Sequence, residues 1–221
     1  MAISLIPTDI LTDKLFSDEL LSSVIEVHLI DKNHVFYQEG RILAQDVYRQ
    51  IWDTDHLIDG NDYAVVTIAN GTAIGNMNLQ LKTQQKSLKS EMFFESEHWE
   101  SYFSKSSEKI TKISGLSVSQ DLPVKSRQQV MMLLILGTSI ISQILGIDLW
   151  VTVQRKALNR ILAKQLRLSF VTNQTVVTPQ KEVPKDNYWH SSELPQIHYL
   201  DVKDSQNVNA FSLFYSYLHL T

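Results

Sequence analysis

Polar and apolar residues alternate over Ser23–Ile30, with Val24, Glu26 and His28 set against Ile25, Val27 and Leu29, which predicts a β-strand. Residues 34–52 place Val35, Ile42, Val47 and Ile51 at helical intervals, and residues 8–23, with Thr8-Asp9 as a cap, predict an earlier helix. Two strand-like runs, "YAVVTIA" and "TAIGNMNLQL", flank Asn70-Gly71, the pair favoured in a two-residue hairpin turn. Residues 82–109 are polar and irregular, with an aromatic patch at Met92, Phe93, Phe94, Trp99, Tyr102 and Phe103 that reads as a cap on the core or the wall of an apolar pocket.

The order then becomes regular. "ITKISGLSVS" predicts a strand, the next helix begins near Ser126 as its N-cap, and "IDLWVTVQ", "RKALNRILAKQL" and "RLSFVTNQTVV" follow as strand, helix and strand. Short connections of this kind predict adjacent parallel strands. Within the first of them Ile113 is out of phase with Ile110, Leu116 and Val118, and Gly115 lies between, which predicts a β-bulge. After a polar linker, "QIHYLDV" and "AFSLFYSYLHL" predict closing strands over 195–221. The whole reads as one α/β domain spanning 1–221, with its core at about 24–178.

Charge and composition narrow the function. The net charge of −4 is well mixed, without the clustered Lys and Arg of a nucleic-acid footprint. No cysteine is present, which removes disulfides, zinc thiolates and thiol nucleophiles. The seven histidines show no ligand spacing, so no metal is expected. His98, between carboxylates in "ESEHWE", reads as a surface residue rather than a base. In "DTDHLIDGND", Leu57 and Val66 stand where a calcium loop started at Asp55 needs oxygen ligands, so an acidic turn is the better reading.

The apolar run Val130–Leu145 is interrupted by Gly137, Thr138, Ser139, Ser142 and Gln143. Its second half looks amphipathic, with Ser139, Ser142, Gln143 and Gly146 on one side. About 20 apolar residues are needed to cross a bilayer, so a buried core helix is expected and no membrane span. Met1–Leu15 lacks the basic and apolar regions of a secretory leader, and a cytoplasmic location is expected. Lys125 and Arg127 flank the start of the long helix, where unpaired N–H groups favour phosphate.

Strand, hairpin, bulged strand and phosphate-facing helix in this order resemble the N-acetyltransferase-like (GNAT) superfamily over residues 24–178. Within it, the chain looks most like acyl-homoserine-lactone (autoinducer) synthases and N-acyl amino acid synthases. The resemblance is carried by Asp59 and Asp62 before the hairpin, by Ile113-Ser114-Gly115-Leu116-Ser117-Val118 on the strand, and by Asn159-Arg160-Ile161-Leu162 on the later helix. It implies a mixed central sheet with splayed parallel strands, and transfer of an acyl group from an acyl-CoA or acyl-carrier-protein thioester to a small-molecule amine. It also implies donor contacts at Leu116 and Val118, phosphate contacts at Lys125, Ser126 and Arg127, and acceptor contacts at Arg41, Asp59 and Asp62.

The chain departs from the pattern in several places. The phosphate turn "LPVKSRQQ" has no glycine, Lys112 and Gly115 stand where autoinducer synthases carry Glu and Arg, and Asn78 replaces a basic residue. Many superfamily members carry a tyrosine on the helix after the fifth strand, yet no Tyr occurs between Tyr102 and Tyr188. No catalytic acid or base is therefore named from the sequence. A non-catalytic protein that keeps the thioester cleft is the alternative expectation.

Overall fold

The computed structural model describes residues 25–54, 57, 60–88, 105–172, 185–190 and 193–220. The expected helix at 8–23, the aromatic patch, His98, Asp55 and Asp59 lie outside the described residues. Among the described residues the elements are β1 (Ile25–Asp31), α1 (Val35–Trp52), β2 (Tyr63–Ala69), β3 (Thr72–Leu81), β4 (Ile110–Val118), α2 (Val124–Leu145), β5 (Leu149–Gln154), α3 (Lys156–Gln165), β6 (Val171–Thr172), α4 (Asn187–His190), β7 (Gln196–Asp201) and α5 (Ser205–Leu220). The seven strands form one mixed sheet in the order β1-β2-β3-β4-β5-β7-β6.

The hairpin forms as its turn pair requires. Asn70 and Gly71 both have positive φ, 51° and 75°, and Ala69 pairs directly with Thr72. The predicted bulge is also present. Asn76 pairs with Ser117 and Asn78 with Ser114, so Gly115 and Leu116 together oppose Met77. Gly115 adopts φ 62°, a left-handed conformation that only glycine takes without strain.

Helix α2 is the core helix of one sheet face. Val130, Leu133, Leu134 and Ile135 are buried there with Val65, Met77, Leu79 and Trp150. It is long and apolar enough to cross a membrane by composition, but 67% of that window is buried within the protein. The expected amphipathic second half is corrected here. Ser139 and Ser142 are buried, with the Ser139 hydroxyl donating to the Leu136 carbonyl and Ser142 Oγ accepting from Trp150 Nε1 at 2.8 Å. Short hydroxyls satisfied locally pass into a core at little cost, which a polarity pattern does not register.

Three other expectations are corrected. "AFSLFYSYLHL" is helix α5, not a strand. Asn207, Ala210, Phe211 and Phe214 are buried at spacings of three and four, and Asp204 Oδ1 accepts from the Gln206 N–H at the start. Second, β6 is not beside β5, because β7 inserts between them and pairs antiparallel with both. Third, Pro123 occupies the N-cap of α2, and Ser126 lies in its first turn and is buried. Proline lacks an N–H and has a fixed φ, so it tolerates a helix start that leaves Ser126 inside.

On the other face, α1 packs through Gly40, Ala44 and Val47, while Val35, Ile42 and Ile51 are exposed. Small residues let the helix approach β2 and β3 closely: a Cβ on Gly40 would stand 2.6 Å from Asn76 Oδ1 and 2.8 Å from Val66 Cγ2. Gly40→Ala is expected to cost about 1–3 kcal/mol by overpacking. A denaturant melt with unchanged midpoint would contradict this packing.

Candidate active site

Strands β4 and β5 run parallel but pair only over Ile110–Lys112 against Leu149–Val151. Beyond that point they part, as the splay expected from the sequence requires, and the wedge between them opens into a cavity of about 350 Å³. That volume lies within the range of small-molecule sites. The β4 side is formed by Lys112 to Leu116, and the β5 side by Thr152 to Arg155. Met77, Ile113, Ile135 and Leu162 supply an apolar floor, and Leu158 and Ile161 of α3 extend it. Tyr48 and Trp52 of α1, with Tyr188 and Trp189 of α4, close the opposite side.

The bulge shapes the β4 wall. Asn76 Nδ2 donates to the Gly115 carbonyl at 2.9 Å and Ser117 Oγ donates to it at 3.2 Å, so that oxygen is turned into the sheet. The backbone edge of β4 beyond Lys112 has no β5 partner, which leaves strand-pairing groups along the wedge. Beneath the bulge, Asn76 and Asn78 are fully buried.

Arg155 organises the far mouth. It is buried, its Nη1 donates to the Glu193 carbonyl at 2.7 Å, and its Nη2 donates to the carbonyls of Asn187, at 2.6 Å, and Tyr188. Its guanidinium lies 4.3 Å from the Trp52 ring centroid and 5.4 Å from that of Tyr188. Planar stacking with forked donation suits arginine and not lysine. The Tyr188 hydroxyl in turn donates to the Val153 carbonyl at 2.8 Å. Burial pushes Tyr48 up to about 12, against the pull of the Arg41 cation. Burial also raises Tyr188 well above the usual phenol range, with Tyr48 and Asp186 acting in the same direction and Arg155 opposing.

His198 of β7 lies fully buried beside this region, opposite the cavity-lining Thr152. Its Nδ1 is 3.2 Å from Thr172 Oγ1, and burial lowers its pKa to about 4 against a hydrogen bond with the Gln154 backbone. Unfolded, the same imidazole takes up its proton near 6.5. The unfolded chain thus binds more protons between pH 6.5 and 4, and stability falls on acidification by about 1.4 kcal/mol per pH unit, roughly 3 kcal/mol in all. His198→Gln is expected to flatten that slope in denaturant melts between pH 7 and 4. An unchanged slope would show that other groups govern acid sensitivity.

The residues expected from sequence distribute unevenly. Leu116 and Arg41 line the cavity; Val118 lies farther along β4, buried and paired with Gly75. Lys125 is exposed at the α2 N-terminus, Ser126 is buried, and Arg127 Nη1 donates to Gln120 Oε1 at 2.8 Å. Asp62 does not line the cavity: its carboxylate binds Lys86 Nζ at 2.7 Å and accepts from the Leu81 N–H at 2.8 Å. Sequence reasoning missed Tyr48, Trp52, Arg155 and Tyr188. The last sits in "NYWH", a dense aromatic pair within an otherwise polar linker, which was the available signal.

No protein-family profile matches the chain, and no curated protein matches it in sequence. Solved structures do share the fold. The acyl-homoserine-lactone synthase LasI aligns with a TM-score of 0.57 at 13% identity, covering 86% of this chain and 96% of that one. The CoA-dependent acyl-homoserine lactone synthase MesI aligns at 0.53 with 16% identity, over 86% and 95%. FeeM, an N-acyl amino acid synthase from uncultured soil microbes, aligns at 0.54 with 11% identity, over 85% and 97%. The chain thus has the GNAT-like α/β fold, in the form found in autoinducer and N-acyl amino acid synthases.

Proposed function

We propose that the protein is an acyltransferase that moves an acyl group from a CoA or carrier-protein thioester to a small-molecule amine. The observation that carries this reading is the parting of β4 from β5 after Lys112 and Val151, with a largely apolar cavity in the wedge. The pantetheine arm of the donor lies in the wedge as an added strand, pairing with the free backbone edge of β4 near Leu116 to Val118. Main-chain groups give such an arm affinity without a dedicated side chain. An amide N–H of the bulged segment polarises the thioester carbonyl, the contribution that commonly dominates acyl transfer. The acyl chain lies on the floor made by Met77, Ile113, Ile135 and Leu162. Lys125 and Arg127, with the α2 N-terminus, receive the phosphates of CoA, and Arg41 faces the acceptor. A cytoplasmic protein without a bound metal suits this chemistry.

The test is release of free thiol from octanoyl-CoA across a panel of amines, amino acids included. An amine-dependent release is expected. Uptake of octanoyl-CoA with no release under any amine would favour a binding protein that keeps the cleft without transfer.

A further inference from the structure

The segment that joins α1 to β2 closes one side of the cavity. Gln45 of α1 pins it, its Nε2 donating to the Thr54 carbonyl at 2.8 Å and its Oε1 accepting from the Leu57 N–H at 3.1 Å. Thr54 and Leu57 line the cavity there. Asn61 reaches across to β4, where its Oδ1 accepts from the hydroxyl of the cavity-lining Ser114 at 3.3 Å. Thr54 and Asn61 are only 3% and 5% exposed, yet Thr54 Oγ1 and Asn61 Nδ2 have no hydrogen-bond partner. Behind the same stretch of β4, the fully buried Asn78 pairs across the sheet with Ser114 and leaves both of its amide atoms unpartnered. Gly115, also in the cavity wall, passes directly over this amide, since a Cβ on it would stand 2.4 Å from Asn78 Nδ2. Folded proteins pair nearly all of their buried polar atoms, and a cluster left unpaired beside a cavity points to a ligand's polar group.

The chemistry of the cluster selects that group. It offers an N–H donor at Asn61, a hydroxyl at Thr54 that both donates and accepts, and an amide at Asn78 that does the same. None of these carries a charge. A carboxylate placed here could only accept, and its burial calls for a cation. The cations that border this side are engaged within the protein: Arg41 Nη2 donates to the Leu57 carbonyl at 3.5 Å, and Lys112 has its own partner. A further ammonium group on the acceptor is disfavoured by those same cations. What fits is an uncharged group with both donor and acceptor character.

We propose that this polar side of the cavity holds such a group on the acceptor, with Thr54 and Asn61 as the specificity-determining contacts. The amine used by the protein then bears a hydroxyl or a primary carboxamide rather than a carboxylate. This rests on the acyltransferase reading above. The cluster borders Ser114 and Gly115, beside the bulged amides assigned to the thioester, which places the acceptor's amine next to the carbonyl it attacks.

The experiment uses the full chain with octanoyl-CoA as donor and with ethanolamine, glycinamide, glycine and propylamine as acceptor probes. Thiol release is compared per free amine, so that differences in protonation drop out. Wild type is expected to show a kcat/KM at least about tenfold higher for ethanolamine or for glycinamide than for glycine and propylamine. Ethanolamine ahead assigns a hydroxyl, and glycinamide ahead a carboxamide. Thr54→Val keeps the shape and removes the hydroxyl; Asn61→Asp keeps the acceptor for Ser114 and removes the free N–H. Each is expected to cut the ratio of the preferred polar acceptor to propylamine by about tenfold, with the thermal shift from octanoyl-CoA retained. Glycine as the best acceptor overturns the proposal. So does an equal fall across all acceptors, which makes Thr54 and Asn61 plain wall, and so does unchanged selectivity in both variants, which leaves the unpaired atoms to water. Those outcomes spare the acyltransferase reading, because thiol is still released. Bound octanoyl-CoA with no release under any amine defeats that reading, and this proposal with it.

Discussion

Gly115→Val is expected to remove donor binding and to lower the melting temperature by on the order of 10 °C. Two costs combine. A β-branched residue at φ 62° is strained by about 1–3 kcal/mol, and the new Cβ would overlap the side-chain nitrogen of Asn78, fully buried beneath the bulge. Overpacking of that kind adds about another 1–3 kcal/mol. At about 2–4 °C per kcal/mol for a chain of this size, the sum gives the stated shift. The chain's escape is to straighten β4 and lose the bulge, which moves the wall between Ser114 and Leu116. A thermal melt with and without octanoyl-CoA checks both parts. A variant that keeps its melting temperature and its donor shift would show that the bulge neither strains nor shapes the cleft.

Trp150→Ala should be the most destabilising single truncation among the described residues. The indole is fully buried between α2 and α5, 5.6 Å from the Phe211 ring centroid, and bonds Ser142. Removing such a side chain costs about 3–5 kcal/mol through lost transfer energy and an unfilled cavity. Trp150→Phe keeps most of the volume, loses only the N–H bond, and should cost about 1 kcal/mol. Denaturant midpoints for the two variants separate packing from hydrogen bonding. Similar losses in both would place the weight on the Ser142 bond instead.

These sites also show where a sequence speaks and where it is silent. Asn70-Gly71 is legible because two consecutive positive φ angles leave few residue choices. Gly115 is legible because the alternation slips beside it, Ile113 standing out of phase with Ile110, Leu116 and Val118. The α2 run is legible as core because its polar residues are few and mostly short, although Ser139 and Ser142, which suggest a polar side, are buried. The packing face of α1 was not legible: closeness to β3 selects Gly40 and Ala44, small residues that carry little hydrophobic signal, and leaves Ile42 and Ile51 outside. Helix α5 was hidden because Phe211, Leu213 and Tyr215 alternate, although the buried set 207, 210, 211 and 214 follows the helical period. The insertion of β7 between β5 and β6 is a long-range pairing that local pattern does not encode. The Arg155–Tyr188 nest was missed for the same reason, since 33 positions separate its members in the chain while the guanidinium lies 5.4 Å from the ring.

The central claim is that the wedge between β4 and β5 holds the pantetheine arm and acyl chain of a thioester. Octanoyl-pantetheine tests it most directly, because that arm is common to CoA and carrier-protein donors. At a hundredfold excess over Kd, binding adds about 2.7 kcal/mol of stability, or about 5–10 °C in melting temperature. The account predicts a rise with octanoyl-pantetheine that exceeds the rise with pantetheine alone, as the apolar floor requires. A melting temperature unmoved by octanoyl-pantetheine at any concentration up to its solubility would contradict it.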